Sequence, residues 1–561
     1  MTNQLGPDAE PAPGLPTASI GLPDPKPASI GRASALLASG TFVSRILGFL
    51  SALLLARTLG ITGGAADAYG IANQLPKSVY AIVAGGMLSA VIVPQIVRAA
   101  IHKDGGQKFI NRLVTLGLVI FLIVTLAATL SAPLLVDLYT SASFGSNKVA
   151  LATAFAYWCL PQILFYALYS LFGEVLNARG KFGPFTWAPV VNNVVMLAGL
   201  VVFSFIFGSA SGVAAADWTP GMIALLAGSA TMGIVVQASL LAYFWRRAGL
   251  RYRPEFQWRG VGLGRAGKAA AWTFGMIMIT QVGGVVESVV ASQASGDNPS
   301  VFLMSNAWLI FMLPHSVIAV SIGMAYFTQM SGHARDNDLV SMRSDVSSAL
   351  RSILMLLVFA AIGLMVIAVP FSALFGTTYA QIMALAGVLV VYLIGLVPFS
   401  MMYVLQRVFY SFEDTRTPFF LQSFQIVLYV AAALVISTFP VERIAMSLAL
   451  AISIAGTVQT TIALFVLRKR LPGFEILPLL RRLLWFATAM IPAAATGVGI
   501  LLLLGGFGEG SFVVSSFLTG FISIAVAGTG MLLVYSAVLA LTKNDEFLAF
   551  VRPIVARLTR R

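Results

Sequence analysis

Long runs of apolar residues alternate with short polar segments along almost the whole chain. Each run is about twenty residues or longer, which is the length that an α-helix needs to cross the ~30 Å hydrocarbon layer of a bilayer. A helix is expected because it satisfies its own backbone hydrogen bonds in lipid. The pattern predicts fourteen membrane-spanning helices, at residues 33–59, 72–99, 109–137, 148–177, 184–208, 220–246, 268–293, 300–329, 347–374, 380–410, 417–438, 444–468, 482–505 and 512–542.

One sequence pattern occurs twice in these spans. Residues 75–82 read LPKSVYAI, and residues 313–320 read LPHSVIAV. A second set, in which Pro161 pairs with Pro398, keeps the same spacing to within one residue. The second half of the chain is therefore predicted to be an altered copy of the first. Because an even number of crossings separates the copies, we expect two six-helix lobes in the same orientation, related by a pseudo-two-fold axis along the membrane normal.

This repeat predicts an all-α integral membrane protein with two lobes and two additional C-terminal helices. The proline-rich start of the chain has no apolar run after a basic segment, so it is expected to be a disordered tail rather than a signal peptide. The predicted organisation is a tail at 1–31, an N-lobe at 32–246, a basic connector at 247–267, a C-lobe at 268–470, two further helices at 482–542 and a basic tail at 543–561.

The composition agrees with a membrane protein and sets its orientation. Hydrophobic residues make up 58% of the chain and charged residues only 10%, whereas soluble domains are about 25% charged. Lys and Arg collect in every second loop, which predicts that these loops and both termini are cytoplasmic. The net charge of +14 is spread over that one face, where it suits anionic lipids as partners rather than nucleic acid.

The sequence offers little for catalysis or for a metal. It contains three histidines and one cysteine, Cys159, and no metalloprotease, nucleotide-binding or hydrolase motif. A single thiol forms neither an intrachain disulfide nor a zinc cluster. We therefore expect no catalytic residue, no metal and no cofactor.

Charged residues inside the predicted spans are rare, and each costs about 2.5–3.5 kcal/mol at the bilayer centre. They are therefore candidates for function. The candidate substrate-binding residues are Arg45, Asp67 and Lys77, and the candidate coupling residue is Glu287.

Two interpretations stay open for each of these residues. Arg45 is either a clamp for phosphate or carboxylate in a central cavity, or a side chain that reaches the inner interface. Lys77 either meets the same anion or marks the outer boundary of the second span. Asp67 either caps the second helix or pairs with Arg45 or Lys77. Glu287 is either a group that couples transport to protons or sodium, or a structural acid of the outer leaflet.

Several short motifs are similar to those of one known family. Residues 44–49 read SRILGF, residues 67–69 read DAY, and the Leu75-Pro76 pair is followed by two glycines at 85–86. Together with the extra helices at the C-terminus, these motifs resemble those of the MurJ/MviN lipid II flippases of the multidrug/oligosaccharidyl-lipid/polysaccharide exporter superfamily. The resemblance covers residues 33–543.

The resemblance implies a V-shaped pair of lobes in the bacterial cytoplasmic membrane, and a transporter rather than an enzyme. It also implies a cationic central cavity for a pyrophosphate and sugars, and a groove at helices 13 and 14 for a polyprenyl tail. The expected function is alternating-access flipping of lipid II, a peptidoglycan precursor, from the inner to the outer leaflet. The expected partners are lipid II or a related polyprenyl-pyrophosphate glycan, together with proteins of cell-wall synthesis.

The chain also departs from this family's pattern. Apolar, aromatic or small residues stand where members usually carry charged residues in helices 1, 2 and 8, at Ser51, Tyr80, Trp308, Leu309 and Met312. The clamp is thereby reduced to Arg45, with Lys77 as a substitute. An exporter of another undecaprenyl-linked glycan and a transport-inactive scaffold of cell-wall assembly stay open as alternatives.

Overall fold

The structure is a computed structural model that describes residues 27–87, 107–179, 181–257 and 263–558. These residues are mostly helical and contain no β-strand. The helices of the first half are α1 (Pro27–Leu59), α2 (Gly64–Met87), α3 (Gln107–Leu130), α4 (Ala132–Tyr139), α5 (Ser146–Cys159), α6 (Gln162–Ala178), α7 (Phe182–Phe207) and α8 (Pro220–Arg247).

The second half repeats this order and then extends it. Its helices are α9 (Leu263–Ser292), α10 (Val301–Pro314), a π-helical turn (His315–Ala319), α11 (Val320–Arg335), α12 (Leu339–Val366), α13 (Ala368–Ala373), α14 (Tyr379–Ile394), α15 (Leu396–Ser411), α16 (Arg416–Ile436) and α17 (Val441–Arg470). The extension comprises α18 (Ile476–Leu503), α19 (Phe512–Ser515), α20 (Phe517–Leu541) and α21 (Asp545–Leu558).

The predicted helical membrane fold is confirmed. Within the described ranges, twelve helices are long and apolar enough to cross a bilayer, and the pair α14–α15, bent by 44°, counts as a thirteenth. The predicted second span, 72–99, is described only as far as Met87. The tail predicted at 1–31 lies outside the described residues except for residues 27–31, which belong to α1.

Several spans that the sequence predicts as single helices are broken. The fourth span breaks before Pro161, whose ring removes a backbone donor and hinders the preceding turn. The equivalent span of the C-lobe breaks at Gly395. Ser453 packs so closely there that a Cβ atom added to Gly395 would lie 2.8 Å from the Ser453 hydroxyl oxygen. The third span of each lobe also breaks near its end, at Ser131 and at Ile367. The two halves of the chain therefore also share the positions at which their helices break.

The two lobes also share one packing scheme. In the N-lobe, α7 packs against α1 and α8, α2 against α5, and α6 against α3 and α8. In the C-lobe, the equivalent helices pack in the same way, because α16 packs against α9 and α17, α10 against α14, and α15 against α12 and α17. One element differs, since Pro76 lies inside the continuous helix α2 whereas Pro314 ends α10 and is followed by the π-helical turn.

The added helices attach to the C-lobe. Helix α18 packs against α12 and α20, and α20 packs against α13. The start of α21 is held by an ion pair between Arg482 and Glu546, with an N–O distance of 3.3 Å. The described helices therefore form two lobes plus a C-terminal pair, as the sequence predicts.

One end of the molecule is rich in basic residues, and we call it the basic face. It carries the turn between α15 and α16, where Asp414 accepts hydrogen bonds from the backbone N–H and hydroxyl of Thr417 and pairs with Arg470 at 2.9 Å. Partial burial acts to raise the pKa of Asp414, but the Thr417 hydrogen bonds and the charge of Arg470 outweigh it and hold that pKa below its ordinary value. The Asp414 carboxylate therefore stays ionised at neutral pH and caps the start of α16.

Candidate functional site

A cavity of about 640 Å³ lies between the two lobes. Helices α1 and α2 line it from the N-lobe, and α9, α10, α14, α15, α16 and α17 line it from the C-lobe. It reaches from Val301, at the start of α10, to Gln406, in the last turns of α15. The cavity therefore extends through much of the membrane-spanning height of the protein.

Lys77 is the lysine of this cavity. It lies inside α2, beside Pro76, on the face that also presents Asn73 and Gln74 to the cavity, as the i, i+3 and i+4 spacing requires. Its side chain is exposed to this space, and no hydrogen bond or ion pair to another described residue holds it. His315 occupies the matching position of the second repeat and also lines the cavity. The site thus contains a free ammonium group at the level of the repeated motif.

Arg45 crosses from one lobe to the other. Its guanidinium donates a hydrogen bond of 2.6 Å to the hydroxyl of Ser316, in the π-helical turn of the C-lobe. The side chain is exposed and has no carboxylate partner within the described residues. Arg45 therefore lies in the cleft between the lobes with donors left for an anion.

Glu287 lies in the last turns of α9, and it lines the cavity. The buried hydroxyls of Tyr392 and Tyr429 are its neighbours. The Tyr429 hydroxyl lies close enough to interact with the Glu287 carboxylate. No basic side chain forms an ion pair with Glu287 in the part of the chain that is described, so this acid has only hydroxyl groups to compensate its burial.

A group of glutamines on the C-lobe wall was not predicted from the sequence. The Gln422 amide donates to Gln425 at 2.8 Å, and the Gln459 amide donates to Gln422 at 3.2 Å, so that α16 and α17 share one polar chain. The signal was present, since Gln422 and Gln425 lie one turn apart in an otherwise apolar helix. Such amides can donate to and accept from the hydroxyl groups of a sugar.

Aromatic side chains form another part of this wall. Trp308 stacks on Phe311 with ring centroids 4.8 Å apart and meets Phe399 edge-on at 5.6 Å. His315 is buried, packs on Phe399 and shares a hydrogen bond of 2.9 Å with the Ser400 hydroxyl. His315 is therefore held by its neighbours, as expected for a histidine that bridges two helices.

Asp67 lies at the end of the cavity that is opposite the basic face. It is buried, and its carboxylate accepts a hydrogen bond of 2.9 Å from the backbone N–H of Phe302, in the first turn of α10. Asp67 thus caps a helix of the other lobe, not its own helix, and it bonds neither Arg45 nor Lys77. The hydroxyls of Ser295 and Ser300 and the ammonium of Lys148 lie near the same carboxylate.

Further hydrogen bonds join the lobes at this end, which we call the closed face. Lys148 donates to the carbonyl of Ser295 at 2.9 Å, and the Ser288 hydroxyl donates to the carbonyl of Tyr139 at 2.9 Å. The Arg57 guanidinium donates to the carbonyl of Leu374 at 2.9 Å, beyond the end of α13. Apart from Arg45 at mid-height, the lobe-to-lobe hydrogen bonds of the described residues all lie at this end.

The described residues contain no group of three or more His, Cys, Asp or Glu side chains that could hold a metal ion. The polar groups of the cavity are instead one ammonium, one carboxylate, one imidazole, amides and hydroxyls. The chemistry of such a set suits an organic anion or a glycan, held through hydrogen bonds and charge.

Comparison with known proteins identifies one family. The family model described as lipid II flippase MurJ matches residues 55–523. The chain is 28% identical over 440 residues to a probable lipid II flippase MurJ of Rhizobium tropici, covering 76% of this chain and 78% of the relative. It is 26% identical over 405 residues to a protein of the same description from Haemophilus influenzae, covering 67% and 75%.

Solved structures agree on the fold. A lipid II flippase MurJ in an inward closed conformation superposes with a TM-score of 0.68 at 20% identity, covering 88% of this chain and 98% of that chain. An inward-facing transporter of the MATE family gives a TM-score of 0.61 at 16% identity, covering 79% and 98%. The fold of the chain is therefore similar to that of both transporters.

The cap that Asp67 provides leads to a test of the closed face. Asp67→Ala removes the acceptor for the Phe302 N–H, and loss of a helix cap costs about 0.5–2 kcal/mol. We expect a lower thermal unfolding midpoint for the purified protein in detergent. Asp67→Asn keeps one side-chain oxygen, so its midpoint should stay near that of the wild type. Equal midpoints for Asp67→Ala and the wild type would show that the cap does not hold the lobes together.

Proposed function

The chain belongs to the lipid II flippase MurJ family, and we propose that it carries lipid II from the inner to the outer leaflet of the bacterial cytoplasmic membrane through the cleft between its lobes. The observation that supports this most directly is the free ammonium of Lys77 in an interlobe cavity. A cation without a counter-ion is costly at this depth in a membrane. An anionic substrate supplies the missing counter-charge.

The pyrophosphate of lipid II fits these donors. Lys77 offers a point charge from the N-lobe wall, and Arg45 offers a planar fork that suits phosphate oxygens. Because Arg45 already reaches Ser316 across the cleft, a phosphate there touches both lobes. Asp67 contributes indirectly by holding α2 and α10 together, and we infer a positioning role for it rather than direct contact.

The sugars of the substrate fit the opposite wall. The amides of Gln422 and Gln459 present donors and acceptors, and Trp308 presents a broad ring to the same cavity. This wall is unlike a purely cationic clamp, because recognition there depends on hydrogen bonds and ring contacts. The C-lobe wall therefore supplies the selectivity for a glycan, while the N-lobe cations supply attraction for the pyrophosphate.

Transport by alternating access requires the closed face to open while the opposite face closes. The closed face is held by single hydrogen bonds such as Asp67 to Phe302 and Lys148 to Ser295. Each bond contributes roughly 0.5–1.5 kcal/mol net, and more where a charged group takes part. Bonds of this strength can separate and re-form, which suits a reversible gate.

Glu287 is the proposed coupling residue. It lies between the cavity and the closed face, and its neighbours are the hydroxyls of Tyr392 and Tyr429 rather than a cation. Uptake of a proton removes its charge and allows its wall to repack. A charge that crosses the membrane potential contributes about 2.3 kcal/mol per 100 mV, which is enough to bias the two states of the gate.

The first prediction concerns the two cations together. In cells depleted of their own flippase, the wild-type chain should restore growth and the labelling of lipid II in the outer leaflet. Arg45→Ala combined with Lys77→Ala should lower that labelling at least tenfold and leave lipid II inside, because the pyrophosphate loses both donors.

The control for this pair is Arg247→Ala, since that guanidinium lies over Tyr243 outside the cavity. It should export as the wild type does at an equal protein level. Normal export by the double variant would show that Arg45 and Lys77 do not hold the pyrophosphate. Failure of the wild-type chain to export lipid II would overturn the proposed function itself.

A second prediction tests coupling through Glu287. Glu287→Gln keeps the size of the side chain but removes its ability to ionise, so export of lipid II should slow strongly. Glu287→Asp should retain part of the rate because it still titrates. The rate is followed by outer-leaflet labelling over a range of external pH. Unchanged export by Glu287→Gln at every pH would assign the acid a structural role only.

The third prediction concerns orientation, in which the basic face and both termini are cytoplasmic. With Cys159→Ser as the background, Ser209→Cys lies in the loop between α7 and α8 and Asp336→Cys in the turn between α11 and α12; both positions are exposed. A thiol reagent that does not cross membranes should label Ser209→Cys in intact spheroplasts, and Asp336→Cys only after lysis. The reverse pattern would contradict the proposed orientation.

A further inference from the structure

A second cavity of about 670 Å³ lies at the basic face, away from the interlobe cleft. Helices α3 and α8 both pack against α6, and Phe172 of α6 lies at the bottom of the space between them. Val114 and Leu118 of α3 form one wall. Residues 249–252, which follow α8, form its rim. We call this space the connector groove.

The segment after α8 is fastened over this groove by several bonds. The Thr115 hydroxyl lies 3.0 Å from the Tyr252 hydroxyl and accepts a hydrogen bond of 3.1 Å from the backbone N–H of Glu255. The Glu255 carboxylate pairs with Arg112 at 3.2 Å. The groove therefore has a fixed rim, built from side chains of α3 and backbone of the connector.

The charges around the groove are not all satisfied. Arg112 is neutralised by Glu255, and Arg247 lies over the Tyr243 ring. By contrast, Arg246 and Arg251 line the groove with exposed side chains, and their guanidinium groups have no ion pair or hydrogen bond to another described residue. Two free cations thus border an otherwise apolar space.

Trp245 adds a buried N–H donor without a partner to these two cations. Its side chain lines the groove and is only 3% exposed, and its indole N–H has no acceptor among the described residues. A buried donor without a partner is destabilising by roughly the cost of its lost hydration. The structure therefore contains a site that combines two free guanidinium groups, one unpaired N–H and apolar walls.

We propose that the connector groove binds a bilayer phospholipid with an anionic headgroup. Its phosphate lies between Arg246 and Arg251, and an acyl chain lies along Val114, Leu118 and Phe172. The opposite charges of headgroup and rim favour this occupant, and the apolar walls favour a lipid over a free anion. The bound lipid joins the connector between the lobes to α3 and α8, at the membrane surface where such lipids are available.

The test uses the full-length protein purified in mild detergent and offered phosphatidylglycerol or phosphatidylcholine at equal concentration. Native mass spectrometry then counts the lipids retained. The wild type should retain phosphatidylglycerol in preference to phosphatidylcholine. Because each basic residue near an anionic membrane contributes about fivefold in affinity, Arg246→Gln with Arg251→Gln should reduce that preference by about twenty-fivefold.

Two further variants make the assignment specific. Arg247→Gln is the matched control, since the Arg247 guanidinium lies over Tyr243 outside the groove. This variant should keep the preference for phosphatidylglycerol. Trp245→Phe keeps an aromatic ring but removes the donor, and it should lower retention severalfold. Thermal unfolding of each variant without added lipid separates loss of the site from loss of the fold.

Three results would overturn the proposal. The first is equal retention of phosphatidylglycerol and phosphatidylcholine by the wild type. The second is an unchanged preference in the doubly substituted, folded protein. The third comes from competition for bound phosphatidylglycerol. If lipid II displaces it but an excess of phosphatidylglycerol with another chain length does not, the groove is a substrate site. None of these results bears on export through the interlobe cleft, so the proposed function is tested separately.

Discussion

The hydrogen bond from the Phe302 N–H to the Asp67 carboxylate is the contact on which the arrangement of the lobes depends. It places an acid of the N-lobe at the start of a C-lobe helix, where the helix dipole and the N–H groups that lack partners within the helix attract a negative charge. Both partners are buried, so water does not compete for them. The lobes are joined at this end, and the cavity that both lobes line extends from here toward the basic face.

That cleft explains how the chain tolerates charge inside the membrane. Lys77 and Arg45 would each be costly in lipid, but both lie in a space between the lobes where water or an anion can meet them. The cavity is chemically asymmetric, because its lysine comes from α2, whereas most of its glutamines and the rings of Trp308 and Phe399 come from the C-lobe. A substrate with a pyrophosphate at one end of a glycan matches this asymmetry, whereas a small inorganic ion leaves the C-lobe wall unused.

Much of this architecture could be predicted from the sequence, because apolar run length and internal repetition are properties of the chain itself. The spans, the two lobes and the added helices follow from those patterns. The partners of particular residues did not follow, since Asp67 and Phe302 are distant in sequence and only the packing of two lobes brings them together. From the sequence, Asp67 was expected either to cap its own helix or to pair with Arg45 or Lys77. In the structure it does neither, because it caps a helix of the opposite lobe. The roles of Arg45, Lys77 and Glu287 in transport stay predictions.

The central claim is that the closed face must open for lipid II to leave, and a reversible cross-link tests it most directly. The Ser141 N–H and the Ser292 hydroxyl meet at 2.8 Å across the lobes at this face, so Ser141→Cys with Ser292→Cys should form a disulfide in a Cys159→Ser background. The matched pair Thr58→Cys with Ser204→Cys joins hydroxyl-bearing residues that lie 3.4 Å apart within the N-lobe. Oxidation should stop outer-leaflet labelling of lipid II only for the first pair, and a reductant should restore it. Continued export by the oxidised, fully cross-linked first pair would contradict the account.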